Sequence, residues 1–138
     1  MASPPDKLSI VVFSGDFARV HYAFSMAAAA AAIDRPVTLF FTMEALRALT
    51  KGTDGTPGWH GIAGAATRDA EFAKRGVATF EELVAACAAF EVPFLVCEMG
   101  LRAVELTTAD LRDDLAYEEG GIVTFLNDAS RHGAMLFV

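Results

Sequence analysis

The residues of this chain best suited to covalent chemistry are its two cysteines, Cys87 and Cys97. Cys97 closes the apolar run Val92-Pro93-Phe94-Leu95-Val96 and is followed directly by Glu98-Met99, where a helical segment begins. A sulfur at such a junction faces the unpaired amides of a helix start, and those amides favour a thiolate over a thiol. Glu98 and the acidic balance of the chain act in the opposite sense. Two readings of Cys97 therefore stand side by side. One is a nucleophilic thiolate; the other is an inert thiol at a strand end, since free cysteine is among the most buried residue types. Cys87 falls among Val84, Ala88 and Phe90 in a helical pattern, where a small apolar residue is wanted, and it reads as core. A Cys87–Cys97 disulfide would depend on geometry that spacing does not carry.

The chain has three histidines. His21, near the start of the first helix, and His60, in a long irregular loop, are each candidates to approach Cys97 and share its proton. His132 is expected near the last turn of the final helix, where a positive charge suits the helix dipole. Cys97, His21 and His60 are ligand types for a soft metal, but no CxxC or HxxxH spacing joins them, so neither a metal nor a cofactor is expected. Ser14-Gly15-Asp16 opens a helix and is placed to meet an anion. It is not a Walker A or GxGxxG pattern, and Asp16 repels phosphate, so a turn with an N-cap is the better reading. No GxSxG elbow and no carboxylate pair points to hydrolysis. Phe41, Met43, Trp59 and Met99 would give a small-ligand pocket its apolar lining; their simpler account is core or subunit contact.

Alternating elements must position these groups. Leu8 to Phe13, Val37 to Thr42 and Val92 to Cys97 are short apolar runs of the kind buried on both faces of a parallel sheet. The first helix is predicted over Phe17 to Asp34, with Phe17, Val20, His21, Phe24 and Ala28 on one face; its tract Ala27 to Ala32 suits close packing. A short helix is expected over Met43 to Thr50. Thr79 and Glu82 form a capping box for a helix over Phe80 to Phe90, whose inner stripe is Leu83, Val84, Cys87 and Phe90. A helical turn follows over Glu98 to Val104, then a polar helix from Thr107 or Thr108 through Leu111. Asp114 to Tyr117 reads as a strand, Gly120-Gly121 as a turn, Ile122 to Arg131 as a helix and Ala134 to Val138 as a last strand. Lys51 to Gly76 breaks the regularity, with Trp59-His60 inside it and helical character resuming near Arg68 to Lys74. An excursion of this length is usually functional or mobile.

Strand and helix in alternation predict one three-layer α/β domain over residues 7–138, with a mainly parallel sheet of about five strands, after a frayed N-terminal stretch 1–6. In such a sheet, reacting groups gather beyond the carboxyl ends of the strands. Ser14, Gly15 and Asp16, then Thr42, Met43 and Glu44, then Cys97, Glu98 and Met99, fall there, with Trp59 and His60 in the loop above.

Composition narrows the function class. The chain has 138 residues, 54% of them apolar and 21% charged, which excludes intrinsic disorder. A mean hydropathy of +0.37 is high for a lone monomer and predicts that some apolar surface meets another subunit. A net charge of −7 with a pI near 4.8 argues against nucleic acid and against anionic lipid. The longest apolar run, Tyr22 to Ile33, is a dozen residues, whereas a membrane span needs about 20. Met1 to Lys7 has no secretory pattern, so a cytosolic setting with reduced cysteines is expected.

Lys7 to Asp16, the alanine-rich helix, Val37 to Thr42, Pro93 to Met99, Gly120 to Leu126 and Ala134 to Val138 occur in an order and spacing that resemble the DsrE/DsrF-like family of small sulfur-relay proteins. The likeness runs over nearly the whole chain from Lys7. It implies a parallel, flavodoxin-like α/β fold, assembly as homo- or hetero-oligomers, often a homo-oligomeric trimer or hexamer, and a persulfide carried on the cysteine that matches Cys97. On this reading the chain is a sulfur carrier, a sulfurtransferase in that limited sense, and the implied partners are TusA-like and rhodanese-like sulfur donors or acceptors. The segment around Trp59-His60 departs from the family pattern. The competing expectation is a non-catalytic oligomeric module that binds a small ligand or regulates, with Cys97 structural. A peroxidase-like redox thiol lacks an activating arginine or threonine beside Cys97.

Overall fold

The sequence folds into β1 (Leu8–Val12), α1 (Phe17–Ala32), β2 (Val37–Phe41), α2 (Ala65–Lys74), α3 (Phe80–Ala89), β3 (Phe94–Cys97), α4 (Glu98–Ala103), β4 (Tyr117–Gly120), α5 (Ile122–Asp128) and β5 (Ala134–Phe137). Short 3-10 helices lie at Met43–Leu49, Gly58–Gly61 and Thr108–Asp110. The computed structural model describes residues 3–138. Of the stretch expected to fray, Met1 and Ala2 lie outside the described residues, and residues 3–6 are exposed and lack helix or strand.

All five strands are parallel, in the order β4-β3-β2-β1-β5. The chain therefore steps outward from β1 to β4 and returns to the far side of β1 for β5. Right-handed crossovers place the outward connections on one face and the return connection on the other. Register gives each face its residues, because side chains alternate along a strand. Ile10 and Val12 pair with Leu39 and Phe41, and these with Phe94 and Val96. This row faces α1 and α3 in the main core, with Phe24, Phe80 and Cys87. The alternate row, Val11, Phe40, Leu95 and Cys97, faces α5 and forms a second, smaller cluster with Phe125. Phe125 stacks on Phe40 with ring centroids 4.9 Å apart.

Local signals fixed most boundaries. Asp16 caps α1, its carboxylate accepting from Arg19 N at 3.3 Å. The helix stops at Ala32 rather than Asp34, because Asp34 turns to a left-handed φ of 59° two residues before Pro36. The Thr79–Glu82 capping box is present. Phe90, expected on the inner stripe of α3, is exposed: the helix ends at Ala89 and Glu91 takes a φ of 55°, which turns the chain outward. The fourth strand begins at Tyr117 and includes Gly120, later than expected. The last helix is also shorter than expected, ending at Asp128, so His132 lies in the following turn and not in a helical one.

The segment 51–76 is the largest departure. It is built into the domain, with Trp59 2% exposed and stacked on Phe17 at 5.4 Å. Trp59 Nε1 donates to Glu81 Oε2 at 2.7 Å. Arg112 donates to both oxygens of Glu81 and both of Asp114, at 2.7 to 2.9 Å. These bonds tie the excursion, the start of α3 and the approach to β4 together. Hydrogen bonds from Arg112 hold the Glu81 carboxyl below the usual range, against the cost of its burial, and do the same for Asp114.

Candidate functional site: a buried thiol beneath α5

Cys97 is the last residue of β3 and the N-cap of α4. Its backbone is still extended (φ −74°, ψ 119°), so the chain turns into the helix just after it and the sulfur reaches back over the first turn. Gly100 N donates to Cys97 Sγ at 3.3 Å. A sulfur in the N-cap role thus satisfies one of the amides that a helix start leaves unpaired. The thiol is 1% exposed and shares its surroundings with Phe40, Leu95 and Phe125. Phe125, on α5, is the side chain of the return connection that packs over this cluster.

The two cysteines are free and lie on opposite faces of the sheet, Cys87 in the main core and Cys97 in the smaller cluster, so no disulfide joins them. Burial pushes the Cys87 thiol up to about 12. Its sulfur is 3.9 Å from the Phe24 carbonyl oxygen.

Neither candidate histidine joins Cys97. His21 is buried on the inner face of α1, where its Nε2 lies 2.8 Å from the Ala78 carbonyl oxygen and its ring packs on Phe72. His60 is exposed, with its ring against Trp59 at 4.2 Å. Trp59 belongs to the main core, across the sheet from the Cys97 cluster. Among the described residues no group of three histidines, cysteines or acids is placed to hold a metal.

The other predicted site residues separate in the same way. Ser14 Oγ accepts from Asp16 N at 3.1 Å, and Asp16 caps α1, so this stretch is a turn and a cap. Phe41 and Trp59 are core residues, whereas Met99 and Glu98 are exposed. Met43 is partly buried and has a left-handed φ of 51°. The expected apolar pocket of Phe41, Met43, Trp59 and Met99 is therefore not formed. The chain instead has a polar-rimmed cleft of about 670 Å3 between the β1–α1 turn, the first 3-10 helix and the start of the excursion. Of the groups expected beyond the strand ends only Gly15 and Glu44 line it, with Arg47, Lys51, Ile62 and Asp110. Arg47 Nε donates to Glu44 Oε2 in this wall, and Asp110 accepts from Thr107 N at 2.8 Å. Sequence reasoning did not single out Arg47, Lys51, Ile62 or Asp110, because they come from separate segments with no shared spacing. It also missed Phe125 and Gly100, although an isolated glycine within a helical pattern is a usable signal of close packing.

The face that holds Cys97 is thinly covered. Only Phe125 of α5 is buried, while Ile122, Val123 and Leu126 are exposed, Val123 by 70%. Met135 and Phe137 pair in register with Ser9 and Val11 and so point to the same side. Phe137 is also 70% exposed, and its ring lies 5.3 Å from that of the exposed Phe13. So many exposed large apolar side chains on one face are uncommon on a lone soluble chain.

Comparison with known proteins agrees with this architecture. Over an alignment 157 positions long, gaps included, the chain is 26% identical to a protein of Allochromatium vinosum named sulfur carrier protein DsrE2, covering 96% of this chain and 98% of that protein. Two solved structures share the fold. The ychN protein from E. coli superposes with a TM-score of 0.57 at 15% identity, over 96% of this chain and 99% of that one. A protein of unknown function from Methanobacterium thermoautotrophicum, MTH1491, does so with a TM-score of 0.54 at 14% identity, over 96% and 98%. The DsrE/DsrF-like family matches residues 6–132. With that match spanning all five strand positions but the last, and with the parallel sheet in place, the chain belongs to the DsrE/DsrF-like family.

Proposed function

We propose that this chain is a sulfur carrier that holds sulfur as a persulfide on Cys97. The observation that carries the proposal is the Cys97 sulfur itself, which sits at a strand end with the Gly100 amide donating to it. The family and the name of the Allochromatium relative supply the reaction class.

The chemistry needs one cysteine. The Cys97 thiolate attacks the outer sulfur of a donor persulfide; a new sulfur–sulfur bond forms, the donor's own bond breaks, and the donor departs as a thiolate. An acceptor thiolate then attacks the same outer sulfur, and the electron pair of the broken bond returns to Cys97 Sγ. No net oxidation occurs in the cycle, so no redox cofactor is needed. Donor and acceptor are proteins with exposed thiols of the TusA-like or rhodanese-like kind. Because Cys97 is 1% exposed and packed with Phe125, exchange requires the Phe125 side chain to swing aside. The exposed residues of α5, β5 and Phe13 on that same face are where copies of the chain associate into a homo-oligomer.

A second reading rests on the cleft lined by Gly15, Arg47, Lys51 and Asp110, whose volume falls within the usual range for small-molecule sites. In that reading a polar small molecule binds there and Cys97 is structural.

Intact-protein mass spectrometry after exposure to a polysulfide separates the two. Sulfur carriage predicts added sulfur on wild type and none on Cys97→Ser. Equal labelling of both proteins, or of neither, removes Cys97 from the function and leaves the cleft.

A further inference from the structure

Helix α4 lies closer to the Thr42–Met43 turn than a side chain at its third position would permit. A Cβ built on Gly100 would fall 2.6 Å from Thr42 Oγ1, 2.7 Å from Met43 N and 3.1 Å from Thr42 Cα. Two of these three are backbone atoms, which cannot swing aside as a side-chain tip can. Gly100 is itself buried. On the opposite wall Met43 has a φ of 51°, a conformation that a residue with a side chain keeps only where its surroundings hold it. The turn and the helix are therefore fitted backbone to backbone, and the amide of this same glycine meets the Cys97 sulfur at 3.3 Å.

We propose that Gly100 is the positioning residue of the sulfur site: its missing side chain lets α4 seat against Thr42–Met43, and that seating holds the Gly100 amide on Cys97 Sγ. The inference rests on the reading of Cys97 as the sulfur-carrying thiol. In the unloaded carrier the amide donates to the Cys97 sulfur. On release, the bond between Cys97 Sγ and the outer sulfur breaks as the acceptor's bond to that sulfur forms. The electron pair returns to Cys97 Sγ, where the amide meets it. Gly100 thereby favours both the charged form that accepts sulfur and the leaving group that surrenders it.

Gly100→Ala is the test, because alanine is the better helix former and any loss cannot be assigned to propensity. Cys97 modification by a small thiol reagent is followed as a function of pH on wild type and variant, together with the ultraviolet absorbance of the thiolate. The midpoint is expected to move to higher pH in Gly100→Ala, with thiolate at a fixed pH below the midpoint falling about tenfold, the size of one lost hydrogen bond to a charged group. A glycine that serves only packing would raise the rate at every pH by loosening α4 and leave the midpoint unmoved, which overturns the inference.

Should Gly100→Ala fail to fold, the wild-type protein still decides the matter by nuclear magnetic resonance. The Gly100 amide proton is expected to shift with the same midpoint as Cys97 ionisation and to lose that titration in Cys97→Ser; an amide that ignores Cys97 overturns the proposal. Failure of the parent reading looks different. There the Gly100 amide tracks Cys97, but wild type takes up no sulfur from polysulfide.

Discussion

At the scale of single residues, the two cysteines are both free and both buried, and share little else. Cys87 lies in the main core, where burial pushes its thiol up to about 12, so it is protonated at neutral pH. It is expected to resist alkylation in the folded protein and to react only on unfolding, as peptide mapping would show. The sign for stability follows: a thiol raised above its ordinary value of 9.0 favours the folded state below that value, and this contribution is lost as pH rises toward 12. Cys97 is kept from reagents by the aromatic lid instead. Phe125→Ala is expected to cost about 3 kcal/mol in denaturant unfolding and to speed Cys97 modification while leaving Cys87 silent. The strand-end position of Cys97 was legible in the sequence from the apolar run ahead of it. Its face was not, because that depends on the register of β3 against β2, and register is a relation between distant segments.

At the scale of elements, the strands and the capped helices could be read locally, since caps and apolar runs act within a few residues. The excursion 51–76 could not. Its order comes from Trp59 reaching Glu81 and Glu81 reaching Arg112, partners 22 and 31 residues apart that leave no pattern in the intervening chain. The same reason made Trp59 look like a pocket residue when it is core. Arg112 is the centre of this clamp, with its side chain only 12% exposed. Arg112→Ala is expected to lower stability by about 2 kcal/mol at neutral pH in urea unfolding. Glu81 and Asp114 have folded values below their ordinary 4.5 and 3.8, so their contribution is present above those values and lost as pH falls through the depressed ones. The penalty of Arg112→Ala is therefore expected to shrink in acid. A penalty independent of pH would show that Arg112 acts by packing alone.

At the scale of the whole molecule, the sheet has one well-covered face and one covered by a seven-residue helix. The high apolar content pointed to association, and among the described residues six of the eleven exposed large apolar side chains are Phe13 or lie on α5 and β5. If copies associate through this face, as proposed, Val123→Asp combined with Phe137→Asp is expected to give single chains of 14.7 kDa by light scattering, with folding retained. Wild type that already runs as a monomer would contradict this assignment of the surface. The parallel α/β fold was readable from alternation alone, whereas the strand order required the return of β5 to β1, which no local pattern encodes.

The measurement that bears most directly on the central claim is a complete carrier cycle on one sample. Protein loaded from a polysulfide, freed of excess reagent and mixed with an acceptor thiol is followed by peptide mass spectrometry at Cys97. Sulfur carriage predicts one added sulfur on the Cys97 peptide after loading, its transfer to the acceptor, and return of the peptide to its starting mass. Sulfur that never reaches Cys97, or that stays there in the presence of acceptor, would contradict it.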